Sequence, residues 1–183
     1  MKKIVCPLEG VIAIQPDVFE DSRGHFTETW NKKRYEEVGL VEEFVQDNLS
    51  FSKKGVLRGL HFQNPKPQAK LVTVLRGEVY DVVLDVRIGS PTFGNWYGFL
   101  LNELNKMQIY VPVGFAHGFI VRSDVALFHY KCSEYYFPQN EITLKWNDPA
   151  IGIRWGDERP LTSLRDESGK HLSEVPPERL FRM

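Results

Sequence analysis

Short runs of alternating apolar residues, each closed by Gly, Pro or Asn, limit what this chain can fold into more than any other feature. GVIAIQPDVF (10–19), LVTVLRGEVYDVVLDVR (71–87), NWYGFLL (95–101), QIYVPVGFAHGFIV (108–121) and VALFHYKC (125–132) carry the β-branched and aromatic residues and the period-two pattern of strands. No helical run separates them, so an all-β sandwich or barrel is predicted and a doubly wound α/β sheet is not. Arg76-Gly77-Glu78 reads as a hairpin turn. One short helix is predicted, with Asn31 as cap, Lys32 to Val38 as body and Gly39 as stop. From Asn147 the chain is richer in Pro and charge, and is expected to wrap the body with a helical turn near Ser163 to Glu167. The 183 residues, 42% hydrophobic, show no repeat or linker and suit a single domain over 1–183.

Charge and motif content narrow the function classes. A formal net charge of -1 gives no basic face for nucleic acid. Neither a strand–GxGxxG–helix nor a GxxxxGK[ST] loop occurs, so a nucleotide would have to be held by side chains. The 2 cysteines, Cys6 and Cys132, have neither CxxC nor zinc spacing and read as reduced, buried thiols. MKKIVCPLEG lacks the apolar run of a signal peptide, and no stretch approaches the ~20 apolar residues of a membrane span. The expectation is a soluble cytoplasmic protein with no membrane partner.

Polar residues inside the strands are the main clue to function. In GVLRGLHFQ (55–63), Arg58 and His61 interrupt an apolar strand. They lie three apart, so strict alternation sends them to opposite faces; a bulge at Gly59 would aim both into one cavity. Lys70 precedes Leu71-Val72, and Tyr130 falls in Phe128-His129-Tyr130-Lys131. Asp81 and Asp85 share a strand face with Val79 and Val83, opposite Tyr80, Val82 and Leu84. Taken singly, each reads as a solvent-facing strand residue, and Asp85 and His129 are assigned there. Taken together, the others describe a polar lumen, which is costly unless wet, paired and used.

Pro112-Val113-Gly114-Phe115-Ala116-His117 has the PxGxxH arrangement that resembles the second motif of cupins, which are jelly-roll β-sandwiches. Metal-dependent cupins place HxH and a Glu in their first motif. Here that place reads His61-Phe62-Gln63, followed by Asn64 to Lys70 without a carboxylate. His61 and His117 alone make a poor ligand set, so neither metal nor cofactor is expected.

A closer resemblance is carried by QDN (46–48), RGLHFQ (58–63), SPTFG (90–94), GFAHGF (114–119), YKCSEYY (130–136) and WNDPAIGI (146–153). From about Val11 through Asp166 the chain resembles the dTDP-4-dehydrorhamnose 3,5-epimerase family. The resemblance implies an all-β, cupin-type jelly roll with a few short peripheral helices. It also implies an isomerase that inverts C3 and C5 of dTDP-4-dehydro-6-deoxy-D-glucose in dTDP-L-rhamnose biosynthesis. Both hydrogens flank the C4 ketone, so each can leave to give an enolate that is reprotonated on the opposite face.

The resemblance further implies His61 as base, Asp166 as the carboxylate behind it, Tyr130 as acid on the opposite face and Lys70 as the cation near the enolate oxygen. It implies Arg58 at the diphosphate, with Arg23, Glu28, Gln46, Asp47 and Asn48 around the thymidine and neighbouring groups. Tyr136 is implied as a stacking aromatic, and His117, Glu141 and Arg165 as further contacts. The family is homodimeric, with N-terminal strands exchanged so that Arg23 and Glu28 serve the partner's site. From its facing, Asp81 is expected to orient Lys70 or His61. Three positions depart from the family: Arg165 stands where Lys is usual, His25 where an aromatic is expected and Ala69 where Gly often precedes the lysine. His25 is read as a surface or dimer-edge residue. The alternative is a relative that epimerises one carbon only or acts on another nucleotide-linked 4-keto sugar.

Overall fold

The structure, a computed structural model, describes residues 1–183. The strands are β1 (Lys2–Val5), β2 (Ile12–Gln15), β3 (Val18–Asp21), β4 (Gly24–Thr27), β5 (Gln46–Lys53), β6 (Leu57–Gln63), β7 (Lys70–Arg76) and β8 (Glu78–Asp85). They continue as β9 (Arg87–Ile88), β10 (Trp96–Asn102), β11 (Gln108–Val111), β12 (Phe115–Val121), β13 (Val125–Cys132), β14 (Glu141–Thr143) and β15 (Phe181–Arg182). Helix α1 (Lys32–Glu36) follows β4, and α2 (Leu164–Glu167) lies in the C-terminal segment. Two antiparallel sheets, ordered β1-β2-β11-β7-β13-β5 and β10-β8-β12-β6-β14, face each other as a cupin-type jelly-roll sandwich.

Three apolar layers hold the sandwich. Val72, Val83, Ile109, Phe119 and Phe128 pack between the sheets. Leu57, Leu60, Leu84 and Ile120, on the outer face of the five-stranded sheet, are covered by Trp155, Val175 and Leu180 of the C-terminal wrap. Ile12, Ile14, Leu71 and Tyr110, on the outer face of the six-stranded sheet, lie against Tyr35 and Leu40 around α1. With cover on both faces, β12 is buried along its whole length.

Local structure follows the sequence signals with instructive exceptions. Asn31 caps α1 by accepting from the Arg34 N–H, but the helix stops at Glu36, two residues short of the expected Val38. Gly39 then turns the chain at φ +99°, and the Leu40 N–H returns to the Tyr35 carbonyl. Ser163 caps α2 inside the expected helical turn. The turn at Arg76-Gly77-Glu78 is not a hairpin: β7 and β8 belong to different sheets. Gly77 carries the chain across the sandwich edge at φ +80°, where a Cβ would lie 2.0 Å from the Val125 carbonyl oxygen. Pro16 likewise splits the first apolar run into β2 and β3, and Pro112 to Gly114 divides another into β11 and β12.

Asp85 departs most from expectation. It is fully buried, not solvent-facing. Arg87, Ser90 and Thr92 all donate to its carboxylate, at 2.6–2.9 Å for the closest bonds, and Arg87 also lies over the Phe115 ring. Alternation gave its face correctly, but that face is the interior. His129 does lie on the outer side of β13, half-buried, 3.6 Å from Asp47.

Candidate active site

The two sheets diverge to leave a cavity of about 360 Å³, lined by strands from both. On β6 the register with β12 runs His61↔His117 and then Arg58↔Phe119, so β6 fits one extra residue against its neighbour. This is the bulge expected at Gly59. Gly59 sits at φ +111°, and a Cβ there would meet Gly118 Cα and the His117 carbonyl oxygen at 2.6 Å. The extra residue puts both Arg58 and His61 on the cavity wall.

His61 Nε2 shares a 2.7 Å hydrogen bond with Asp166 Oδ1, from the one-turn helix α2. The Ser163 hydroxyl donates to Asp166 Oδ2 at 2.6 Å, and the Gly59 N–H donates to Oδ1 at 3.2 Å. Burial works to raise the pKa of Asp166, but these bonds outweigh it and hold the carboxyl below its ordinary value. Beyond the Asp166 bond, Nδ1 of His61 lies 3.8 Å from Glu141 Oε1.

Tyr130 and Lys70 enter from the six-stranded sheet. Burial pushes Tyr130 up to about 12, with smaller contributions from Cys132 and Glu141. Burial pulls Lys70 down, opposed by Cys132, Glu141 and Asp81. Asp81 is fully buried, but it does not bond Lys70 or His61 as expected: it shares a 2.7 Å hydrogen bond with His117 Nε2. The reason is register, because His117 and Asp81 face the interior from neighbouring strands in which His117 pairs with Val83 and Phe119 with Asp81.

The cavity is also lined by Arg58, Gln46, Asn48, Tyr136, Glu141 and Arg165. Arg58 Nε donates to Ser52 at 3.1 Å, Gln46 Nε2 donates to Asn48 Oδ1 at 3.0 Å, and the Tyr136 N–H donates to Gln46 Oε1 at 3.0 Å. Arg165 donates to the Tyr136 hydroxyl at 2.9 Å and forms an ion pair with Glu141 Oε2. Three residues named from sequence do not reach the cavity within one chain. Arg23 is exposed on the β3–β4 hairpin and pairs with Asp21. Glu28 pairs with Arg34. Asp47 points to the outer side of β5, where Lys131 donates to it at 2.8 Å.

Sequence reasoning passed over Ser163, Ser50 and Cys132 as cavity residues. The Ser50 hydroxyl is buried there without a partner, and alternation with Gln46 and Asn48 along β5 was the available signal. Gln63, which replaces the second histidine of metal-binding cupins, is turned to loop backbone: it donates to Lys66 and Tyr135 carbonyls and accepts from the Phe137 N–H. No group of three or more His, Cys, Asp or Glu is placed to hold a metal ion.

A family model described as dTDP-4-dehydrorhamnose 3,5-epimerase matches residues 5–174. A protein of that name from Methanothermobacter thermautotrophicus is 48% identical over 172 residues, covering 92% of this chain and 93% of its own. One from Pseudomonas aeruginosa is 46% identical over 177 residues, covering 96% and 98%. The crystal structure of dTDP-6-deoxy-D-glucose-3,5-epimerase from Legionella pneumophila, in complex with dTDP-4-keto-L-rhamnose, superimposes with a TM-score of 0.97. It is 46% identical and covers 100% of this chain and 98% of its own. A Streptomyces niveus relative, 41% identical over 170 residues and covering 92% of this chain and 82% of its own, is named a dTDP-4-dehydrorhamnose 3-epimerase.

Proposed function

The chain belongs to the dTDP-4-dehydrorhamnose 3,5-epimerase family, and from that premise we propose how its cavity inverts a dTDP-linked 4-keto sugar in rhamnose biosynthesis. The observation that carries the reading is the pairing of opposed groups: a carboxylate-backed imidazole, His61–Asp166, on one sheet and a protonated phenol, Tyr130, on the other.

His61 removes the proton from the carbon beside the ketone, and its imidazolium is held by Asp166. The electron pair moves into the C4–oxygen bond as an enolate, with Lys70 placed among the cavity residues to stabilise that oxygen. Tyr130 gives its hydroxyl proton to the same carbon from the opposite face and regains one from solvent, while the His61 imidazolium releases its proton to solvent. Repetition at the second flanking carbon completes the double inversion. No metal or cofactor enters these steps.

Arg58 presents its fork to the diphosphate, and Gln46, Asn48 and Tyr136 form the nucleoside end, with Tyr136 as the stacking ring. His117, Glu141 and Arg165 contact the sugar and linker. Arg23, Glu28 and Asp47 lie outside the single-chain cavity, which agrees with a homodimer whose exchanged N-terminal strands bring Arg23 and Glu28 to the partner's site. The exposed Phe19 and Phe26 of the β3–β4 hairpin, and Leu49 and Phe51 on the outer side of β5, are the apolar surface such a dimer would cover. Residues 1–183 act as one domain in this reading, in the cytoplasm; no helix is long and apolar enough to cross a membrane.

The test is turnover of dTDP-4-dehydro-6-deoxy-D-glucose in deuterium oxide. Label at both C3 and C5 of the product supports double inversion. Label at C3 alone selects the second reading, which the 41% identical 3-epimerase favours.

A further inference from the structure

His61 stands between two carboxylates. Asp166 bonds Nε2 at 2.7 Å, and Glu141 Oε1 lies 3.8 Å from Nδ1. The Glu141 side chain is only 12% exposed and the His61 side chain 22%, so solvent screens this pair weakly. A second carboxylate beside an imidazole favours its protonated form, and a protonated imidazole cannot take a proton from carbon. The geometry supplies a counterweight. Arg165, the residue immediately before Asp166, forms an ion pair with Glu141 Oε2. The Tyr136 hydroxyl completes a clasp, donating to Glu141 at 3.0 Å and accepting from Arg165 at 2.9 Å.

We propose that Arg165 is a positioning residue for the base: by holding Glu141 it keeps the second carboxylate from charging His61 before substrate is bound. The inference rests on the reading of His61 as base. A guanidinium suits the task, since its planar fork reaches a carboxylate and a phenol at once, which the point charge of a lysine does less well. The remaining ionisable groups around His61 are Arg58 on its own strand, His117 on the neighbouring β12, Asp81 on β8 beyond it, and Lys70, Tyr130 and Cys132 across the cavity. None of them bonds Glu141, so replacing Arg165 changes the Glu141 charge balance first.

The experiment follows His61 directly, by NMR of histidine-labelled protein across pH, with the resonance assigned by its loss in His61→Asn. Arg165→Gln keeps a hydrogen-bonding side chain without the charge, and the His61 midpoint should rise by about one pH unit. Arg165→Lys should stay within a few tenths of a unit of wild type. Glu141→Gln alone should move the midpoint down, and adding it to Arg165→Gln should cancel the rise. In turnover, Arg165→Gln should lose kcat chiefly on the acid side of the pH profile and recover it at alkaline pH. An unmoved midpoint with KM raised equally at every pH would make Arg165 a ligand contact only and overturn the proposal. So would a rise that persists in the double variant. The titration needs no substrate, so it stands even if the sugar proves not to turn over.

Discussion

The two walls of the cavity are built on opposite electrostatic plans. On the wall formed by β6 and β12, each imidazole is backed by a carboxylate at 2.7 Å: Asp166 behind His61 and Asp81 behind His117. On the wall formed by β7 and β13, Lys70 and Cys132 are cross-strand partners and Tyr130 lies beside them. Their pKa shifts are dominated by burial, with no carboxylate bonded to either Lys70 or Tyr130. On the second wall burial disfavours charge of either sign, opposing the cation on Lys70 and the phenolate on Tyr130. Burial keeps the Tyr130 phenol protonated, so it stands as a donor, while the carboxylate-backed imidazoles stand opposite it. In the proposed mechanism this difference between the walls is what would set a direction of proton transfer across the sugar.

Removing His61 should disable the first wall entirely. General acid–base groups contribute about 10²–10⁴-fold, and His61→Ala is expected near the upper end, losing deuterium exchange and epimer formation together. Near wild-type exchange in that variant would place the base elsewhere. Tyr130→Phe should separate the two walls, because the ring remains while the donor is lost. Epimer formation should fall about 10²–10³-fold, while exchange into recovered substrate falls less, since His61 can return a proton to the face it came from. Equal losses in both measurements would assign Tyr130 to enolate stabilisation.

The smallest effect is expected outside both walls, at Asp85. Burial works against its charge, but bonds from Arg87, Ser90 and Thr92 prevail and hold its pKa below the usual carboxylate value. A carboxyl depressed on folding stabilises fully above its unfolded pKa, and that contribution is lost as pH falls through the folded value. Asp85→Asn should therefore cost about 2 kcal/mol at pH 7 and flatten the decline of Tm below about pH 4, with kcat unchanged. A Tm profile parallel to wild type would show that Asp85 does not carry the acid sensitivity.

The fold was legible because its signals are local. Strand periodicity, turn residues and the Asn31 and Ser163 caps each act within a few positions, and Gly59 announced the bulge. What escaped depended on which layers cover which face. Alternation placed Asp85 with Val79 and Val83, but only the stacking of the second sheet makes that face the interior. Apolar content on both sides of Gly77 suggested a hairpin, although the chain passes there from one sheet to the other. The His61–Asp166 pair spans 105 residues, and no spacing rule connects them; the family resemblance supplied Asp166. Asp81 was given the wrong neighbour because its partner follows from the order of strands, which a sequence does not print.

The bulge on β6 has a consequence best put as parity. In a strand, every odd step reverses a side chain, so residues three apart should never share a wall. One extra residue between Arg58 and His61 restores agreement, with Arg58 on one count and His61 on the other. In the proposed mechanism, grip on the anionic end of the substrate and removal of its proton are thus written in two different frames of one strand. The same residues laid down as a regular strand, without the bulge, would keep the first frame and turn the second outward, and in the proposed mechanism such a pocket would hold its sugar nucleotide without transforming it.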